Sequence, residues 1–379
     1  MADTNPTTEK APTTEKPSRV DTVGFVPASH AASLASVVQN DDTSHSTDSL
    51  SCDGQSPQPK HKTSAQKKVA VKRAVDGWTI ATLEKGVNGL AAEFLKARKD
   101  VDQREISAFR AGTFQGKNRF GDIPCIDCTR VVLKNAHSDY IHANYVSSPR
   151  HPKRFICTQA PMETTCIDFW RMVIQEKAKI IIMLCDFFEQ NFSKCAFYYP
   201  IEKGQVLQFE NYEIGSREVR DIRPDDDPNG GTIRATSLRI RSTSGSQKVM
   251  HYYVREWPDR KTCSPRLIVK LLTEVRSSDR PIVVHCSGGV GRAGTLVAIE
   301  VLLEKLIAGE SVVDTDRILH QVRKQRACAI STDAQYLFVH RVILHYLEVK
   351  KRLRKSLKPA LLKFCADYEK FLGSSAQLK

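Results

Sequence analysis

The sequence predicts an α/β domain, and three observations carry that expectation. Pro281-Ile282-Val283-Val284 is a short β-branched run that reads as a buried strand. Thr295 to Leu306 reads as a largely buried helix. Between them lies His285-Cys286-Ser287-Gly288-Gly289-Val290-Gly291-Arg292, a glycine-rich turn between strand and helix.

Ahead of this unit the composition changes along the chain. Residues 1–73 are rich in Thr, Ser, Pro, Lys and Gln and poor in aromatics, and include the near-repeat Pro-Thr-Thr-Glu-Lys. Such a segment buries too little apolar surface to order itself, so a disordered tail is expected. Its end carries a basic run, Lys60-His61-Lys62 and Lys67-Lys68 to Lys72-Arg73. Over residues 74–100, Trp78, Ile80, Leu83, Val87, Leu90, Phe94 and Leu95 recur at helical spacing, which predicts an N-terminal helical segment. Gly86 and Gly89 weaken that helix. Residues 349–379 form a basic C-terminal helix or tail opened by Lys350-Lys351-Arg352 and Arg354-Lys355.

The turn at 285–292 has the chemistry of a phosphate cradle. Its glycines let successive N–H groups point at one anion, and the following helix aims its positive end at the same place. That field favours a thiolate at Cys286. Arg292 supplies a planar fork for two phosphate oxygens. A nucleophilic sulfur attacking a phosphoester follows. A buried cysteine in an ordinary turn is the competing reading, and Arg292 at this spacing argues against it.

The run, a His-Cys followed by five residues and an arginine, resembles the signature of the cysteine-dependent protein tyrosine phosphatases. Further blocks fall in that family's order over residues 90–348: Lys117-Asn118-Arg119-Phe120, Asp139 to Tyr145, Thr158-Gln159-Ala160-Pro161, Phe169-Trp170-Arg171-Met172, Lys194-Cys195 and Trp257-Pro258-Asp259. The resemblance implies a twisted mixed β-sheet flanked by helices, in one catalytic domain of the non-receptor type. It implies no cofactor and no metal.

It also implies roles. Cys286 is the nucleophile, and the backbone of Ser287, Gly288, Gly289, Val290 and Gly291 holds phosphate together with Arg292. Asp259, 27 residues before Cys286, is the general acid, on a mobile loop hinged by Trp257 and Pro258. Phe120 stacks on the phenyl ring where the family usually has tyrosine; alone, it would read as core. Asp122 holds the substrate backbone, or is simply the turn residue before Ile123-Pro124. Glu189 orients Arg292 and Lys194 sits at the rim of the acid loop, or both are ordinary surface charges. His285 and Tyr198 form a hydrogen-bonded pair behind the nucleophile, against the alternative of a plain core histidine. Gln335 stands as one glutamine of the loop that handles the hydrolytic water.

Besides Phe120, four places depart from the family's pattern. Ala293 replaces the hydroxyl that follows the signature arginine, and Ser331 replaces the first glutamine of the hydrolytic loop. Both losses bear on release of phosphate from sulfur. The acid loop, Asp259 to Pro265, is two residues longer and lacks a glycine, and Ala160 replaces a glycine. Two functions compete: a phosphotyrosine hydrolase working through a phosphocysteine, slow in its second step, and a phosphotyrosine-binding adaptor without turnover. The Lys117–Phe120 block argues against a dual-specificity or lipid phosphatase.

The formal net charge of +14 lies largely in the flanks. A basic surface steers anionic phosphopeptides, and no nucleic-acid motif is visible, so phosphotyrosine proteins and not nucleic acids are the expected partners. A monomer is expected. The polar Met-Ala-Asp-Thr-Asn start and the absence of a long apolar run predict a cytoplasmic protein with no membrane span, with a nuclear location open from the basic runs. The eleven cysteines are then expected as free thiols, with Cys125 and Cys128 a weak zinc-like pair.

Overall fold

A computed structural model describes residues 63–97, 102–227, 229–243 and 245–377. The expected tail up to residue 62 lies outside the described residues, as does most of the end of the 74–100 segment.

The frame is one nine-stranded sheet. Its strands are β1 (Arg130–Val132), β2 (Tyr140–Ser148), β3 (His151–Gln159), β4 (Ile180–Met183), β7 (Val206–Phe209), β8 (Tyr212–Ile222), β9 (Ile233–Ser242), β10 (Gly245–Val254) and β11 (Ile282–Cys286). The short strands β5 (Phe188–Glu189) and β6 (Phe192–Ser193) form a separate hairpin. The helices are α1 (Ser64–Lys96), α2 (Ser107–Phe114), α3 (Cys166–Gln175), α4 (Pro265–Val275), α5 (Gly291–Ala308), α6 (Asp316–Arg323), α7 (Asp333–Val349) and α8 (Lys358–Gln377).

The strand order is β1-β2-β3-β11-β4-β10-β9-β8-β7. β11 lies parallel to β3 on one side and β4 on the other, and β4 lies parallel to β10. Every other pair is antiparallel. This is the mixed sheet with flanking helices that the resemblance implies. The central strands explain their sequences. β4 reads Ile-Ile-Ile-Met and β11 Ile-Val-Val-His-Cys, and every residue of both is buried, as parallel strands covered on both faces require. In such sheets ligands gather beyond the carboxyl ends of the strands, and Cys286 ends β11.

The helix after β11 begins at Gly291, four residues before the expected Thr295. It is buried nearly all round, because α1, α6 and α7 pack over it while its other side lies on the sheet. Gly309 ends it in the left-handed conformation, a usual glycine stop.

The amino-terminal boundary needs correcting. α1 starts at Ser64, so residues 64–73 belong to a helix and not to a disordered tail. Thr63 and Gln66 close a reciprocal capping box there, and Ala74, Val75 and Trp78 bury one face. Gly86, at φ 61° and ψ −177°, breaks the helix, which explains the weak periodicity around it. The carboxyl-terminal segment is helical as α8, with Leu361, Phe364 and Tyr368 buried.

Candidate active site

The glycine-rich loop takes its shape from partners that pull its carbonyls outward. Ser287 O accepts from Ala160 N at 2.9 Å, Gly288 O from Arg326 Nη2 at 2.9 Å and Gly289 O from Arg326 Nε at 3.1 Å. Because each peptide is planar, the following N–H groups turn the opposite way, into a shared concavity at the start of α5. One glycine is sterically required: a Cβ on Gly289 would lie 2.1 Å from Thr158 O at φ +69°, whereas one on Gly288 would meet only the tip of the Ile123 side chain, at 2.7 Å.

Arg326 is the residue that sequence reading missed. It is fully buried, and its remaining donors reach Asn144 Oδ1 at 2.8 Å and His142 Nδ1 at 3.1 Å. Asn144 and His142 belong to the Asp139–Tyr145 block, so that block serves the loop through Arg326. Its only signal was a buried-type block with polar residues inside it, which implies an unseen donor.

Cys286 is buried at the end of β11. Arg292 donates to both Glu189 oxygens, Nη1 to Oε1 at 2.5 Å and Nη2 to Oε2 at 3.1 Å. Nη1 also reaches the Trp257 carbonyl at 2.8 Å, and Nη2 lies 3.4 Å from Asp259 Oδ1. Burial alone would favour the neutral form of Arg292. The Glu189 bond outweighs it and holds the guanidinium above its usual range. Its Nε is buried and unpartnered.

Glu189 is held in place by its hairpin. Gln190 and Asn191 both take positive φ, 51° and 65°, which gives the two-residue turn between β5 and β6. Lys194, just past β6, places Nζ 3.4 Å from Asp259 Oδ2. The loop that carries Asp259 therefore touches two of the expected residues at once, Arg292 and Lys194. It is pinned further by Trp257 Nε1 donating to Lys261 O at 2.9 Å, by Trp257 packing edge-on against Phe338, and by Thr332 Oγ1 donating to Arg260 O at 3.2 Å. Pro258 O accepts from Lys261 N at 3.2 Å. Asp259 keeps 41% of its side chain exposed, so it faces an open mouth.

Phe120 is exposed beside Gly288 and forms one wall of that mouth. Its loop is anchored from behind. Gln159 accepts from Arg119 N and donates to Lys117 O, Lys117 pairs with Asp168 at 2.8 Å, and Tyr140 donates to Asn118. Asp122 is exposed, with no side-chain hydrogen bond among the described residues. Val290 is buried, and its carbonyl accepts from Gly294 N and Ile330 N.

Behind Cys286, Tyr198 Oη meets His285 Nε2 at 2.7 Å and also His251 Nε2 at 2.6 Å. Burial pulls the His285 pKa down to about 3, aided by the Arg119 and Arg292 charges, and pulls His251 down as well. The neutral rings keep positive charge out of that layer. Gln335 lies beside Gly291 with Ser331. Its Oε1 accepts from Ser331 N at 3.0 Å, while its buried Nε2 has no partner. Ala293 is fully buried, one residue past Arg292.

Cys125 is buried and Cys128 exposed, and no described cluster of His, Cys, Asp or Glu could hold a metal. Cys125, Cys157, Cys166, Cys185, Cys195 and Cys286 are free thiols. No described helix is long and apolar enough to cross a membrane.

Residues 114–345 match the protein-tyrosine phosphatase family. The chain is 33% identical over 256 residues to rat tyrosine-protein phosphatase non-receptor type 9, covering 61% of this chain and 42% of the relative. It is 32% identical over 264 residues to human receptor-type tyrosine-protein phosphatase C, covering 67% of this chain and 20% of the relative. The chain thus spans less than half the length of these relatives. Its fold is similar to the catalytic domain of human protein tyrosine phosphatase non-receptor type 18, with TM-score 0.61 and 28% identity over 72% of this chain and 99% of that one. A structure of PTPN18 in complex with HER2 phosphopeptides aligns with TM-score 0.59 and 27% identity, over 69% of this chain and 93% of that one.

Proposed function

This chain belongs to the protein-tyrosine phosphatase family, and from that premise we propose that it hydrolyses phosphotyrosine through a phosphocysteine. The reading rests above all on Arg292. Its fork is held by Glu189, its Nη1 by the Trp257 carbonyl, and Asp259 lies 3.4 Å away, all around one glycine cradle beside Cys286.

In the first step Cys286 sulfur bonds to phosphorus while the phosphorus–phenol oxygen bond breaks. Asp259 gives its proton to the leaving oxygen, help worth about 10²–10⁴-fold. The amides of residues 287–292 and the Arg292 fork take up charge on the equatorial oxygens. In the second step water bonds to phosphorus, the sulfur–phosphorus bond breaks, and Asp259 takes the water proton. Trp257 and Pro258 carry the acid in and out with their loop. Phe120 stacks on the phenyl ring, Asp122 receives the peptide backbone, and the anchored Lys117–Phe120 wall makes the mouth deep enough to favour phosphotyrosine over phosphoserine.

The second step is slow. Ala293 offers no hydroxyl to the leaving sulfur, and Ser331 stands in place of a longer amide beside Gln335. These same two residues support a second reading, a module that captures phosphotyrosine and does not turn over.

Stopped-flow and steady-state release of phosphate from a phosphotyrosine peptide separate the two. Multiple turnovers abolished by Cys286→Ser are expected. A single burst with no steady-state release refutes hydrolysis and leaves the binding module. Failure to bind vanadate or a phosphotyrosine peptide refutes both.

A further inference from the structure

The two basic runs of the sequence lie far apart in the chain and meet in space. Lys67, Lys68 and Lys72 from α1 and Lys351, Arg352 and Arg354 from the turn after α7 line one cavity of about 590 Å³. Its apolar surface comes from Val71, Val75, Ile307 and Leu353. Ile307 lies sixteen residues along α5 from Gly291. At about 1.5 Å per residue, the cavity is roughly 24 Å from the phosphate cradle, at the opposite end of the same helix.

Only one carboxylate, Asp76, lines this cavity, against six cations. Arg354 pairs with Asp76 at 2.6 Å. Lys67, Lys68, Lys72, Lys351 and Arg352 make no ion pair among the described residues, although ion pairs are frequent elsewhere in the chain.

The local rules of helix stability are broken to put these cations there. The first turn of α1 contains no acid, and Lys67 and Lys68 follow it where the helix dipole disfavours positive charge. Lys68 and Lys72 repel each other at i,i+4 spacing. Lys351 takes a left-handed conformation, φ 53°, just beyond α7, where glycine is usual. Sequence choices that each cost stability and converge on one concavity mark a site.

We infer that this cavity binds a compact ligand carrying several phosphate groups on a non-aromatic framework. A volume near 590 Å³ is the size of a small-molecule site. Lysine-rich walls give point charges and freely turning donors, suited to phosphates pointing in several directions. No aromatic side chain lines the cavity, so a nucleotide or single-stranded nucleic acid has no ring to stack on. The apolar patch takes the C–H faces of a polyol ring. A phosphoinositide headgroup and a free inositol polyphosphate share this chemistry, and the inference does not depend on phosphatase activity.

The test uses the full chain with two probes: inositol hexakisphosphate by calorimetry, and phosphatidylcholine vesicles with and without phosphatidylinositol 4,5-bisphosphate by sedimentation. Three proteins are compared with wild type. The first is the triple variant Lys68→Glu, Lys72→Glu, Arg352→Glu. The second is a control triple on exposed lysines elsewhere, Lys203→Glu, Lys248→Glu, Lys324→Glu. The third is Arg292→Ala, which disables the cradle.

Saturable binding at physiological salt is expected. The cavity triple weakens it by at least about tenfold, while the control triple and Arg292→Ala retain it. Binding of the soluble probe identifies a free polyphosphate as sufficient, and binding confined to vesicles identifies the lipid. The inference is overturned if neither probe binds, if the control triple loses as much as the cavity triple, if Arg292→Ala alone abolishes binding, or if an oligonucleotide of matched charge binds more tightly. A cooperative thermal melt of the cavity triple at or above the wild-type melting temperature shows that its fold is intact.

Discussion

Replacing Arg326 by methionine should damage both the fold and the site, although Arg326 lies outside every motif by which the phosphate loop is recognised. Its fully buried guanidinium serves four acceptors: Gly288 O at 2.9 Å, Gly289 O at 3.1 Å, Asn144 Oδ1 at 2.8 Å and His142 Nδ1 at 3.1 Å. Methionine fills similar volume and satisfies none of them. A buried acceptor left without a donor costs about 1–3 kcal/mol. The low end applies, because removing a buried cation with no carboxylate partner also relieves its own desolvation. Four acceptors at about 1 kcal/mol give roughly 4 kcal/mol of lost stability. Urea unfolding followed by tryptophan fluorescence measures it. The freed carbonyls also turn the loop amides out of register, so kcat/KM on a phosphotyrosine peptide should fall by about 10²-fold, the scale of a small misplacement of reacting groups. Arg326→Lys keeps the charge, cannot span four acceptors, and should fall between wild type and methionine. A stability loss under about 1 kcal/mol, with kcat/KM unchanged, would refute the role assigned to these bonds.

Three further outcomes are expected. Glu189→Gln keeps the size of the side chain but strips the carboxylate from the buried Arg292 pair; about 3 kcal/mol is lost, and vanadate restores part of it by supplying another anion. A thermal melt unaffected by the change, with or without vanadate, would count against that pairing. Ala293→Ser should accelerate breakdown of the phosphoenzyme in stopped-flow without altering its formation, and equal rates in both proteins would remove position 293 from the account. Acid should destabilise the fold through its buried imidazoles. Burial, with the Arg326 charge, pulls His142 down to about 3; burial pulls His285 to about 3 and His340 to about 4. Their folded values lie below the unfolded value near 6.5, so the unfolded chain takes up protons that the native state refuses. The contribution is complete above about pH 6.5 and is lost as pH falls toward 3, by up to about 1.4 kcal/mol per histidine per pH unit. Urea midpoints that stay level between pH 7 and pH 5 would contradict this.

Much of the candidate site can be read before any coordinates. The strand at 281–284, the glycines at 288 and 289, and the spacing of Cys286 and Arg292 are neighbours in the chain, and their meaning is local: which φ a residue takes, which way an amide turns. The long α1 was harder. Its amino-terminal turns are lysine-rich and read as tail, because the apolar stripe that seats them, Val71, Ala74, Val75 and Trp78, is short and masked by charge. The helix forms because that stripe has α5 and α7 to pack on, and no local propensity reports a distant partner.

On its own, then, the chain determined its class and its reactive groups, since thiol, guanidinium, carboxylate and glycine have the same chemistry wherever they sit. Tertiary structure alone decided which further groups meet them: His251 joining Tyr198 and His285, Arg326 beneath Gly288, and the lysines of α1 beside Arg352. Those pairings bridge dozens to hundreds of residues. They are set by strand order and by which buried polar atoms need a partner, and that need exists only once the chain has closed around them.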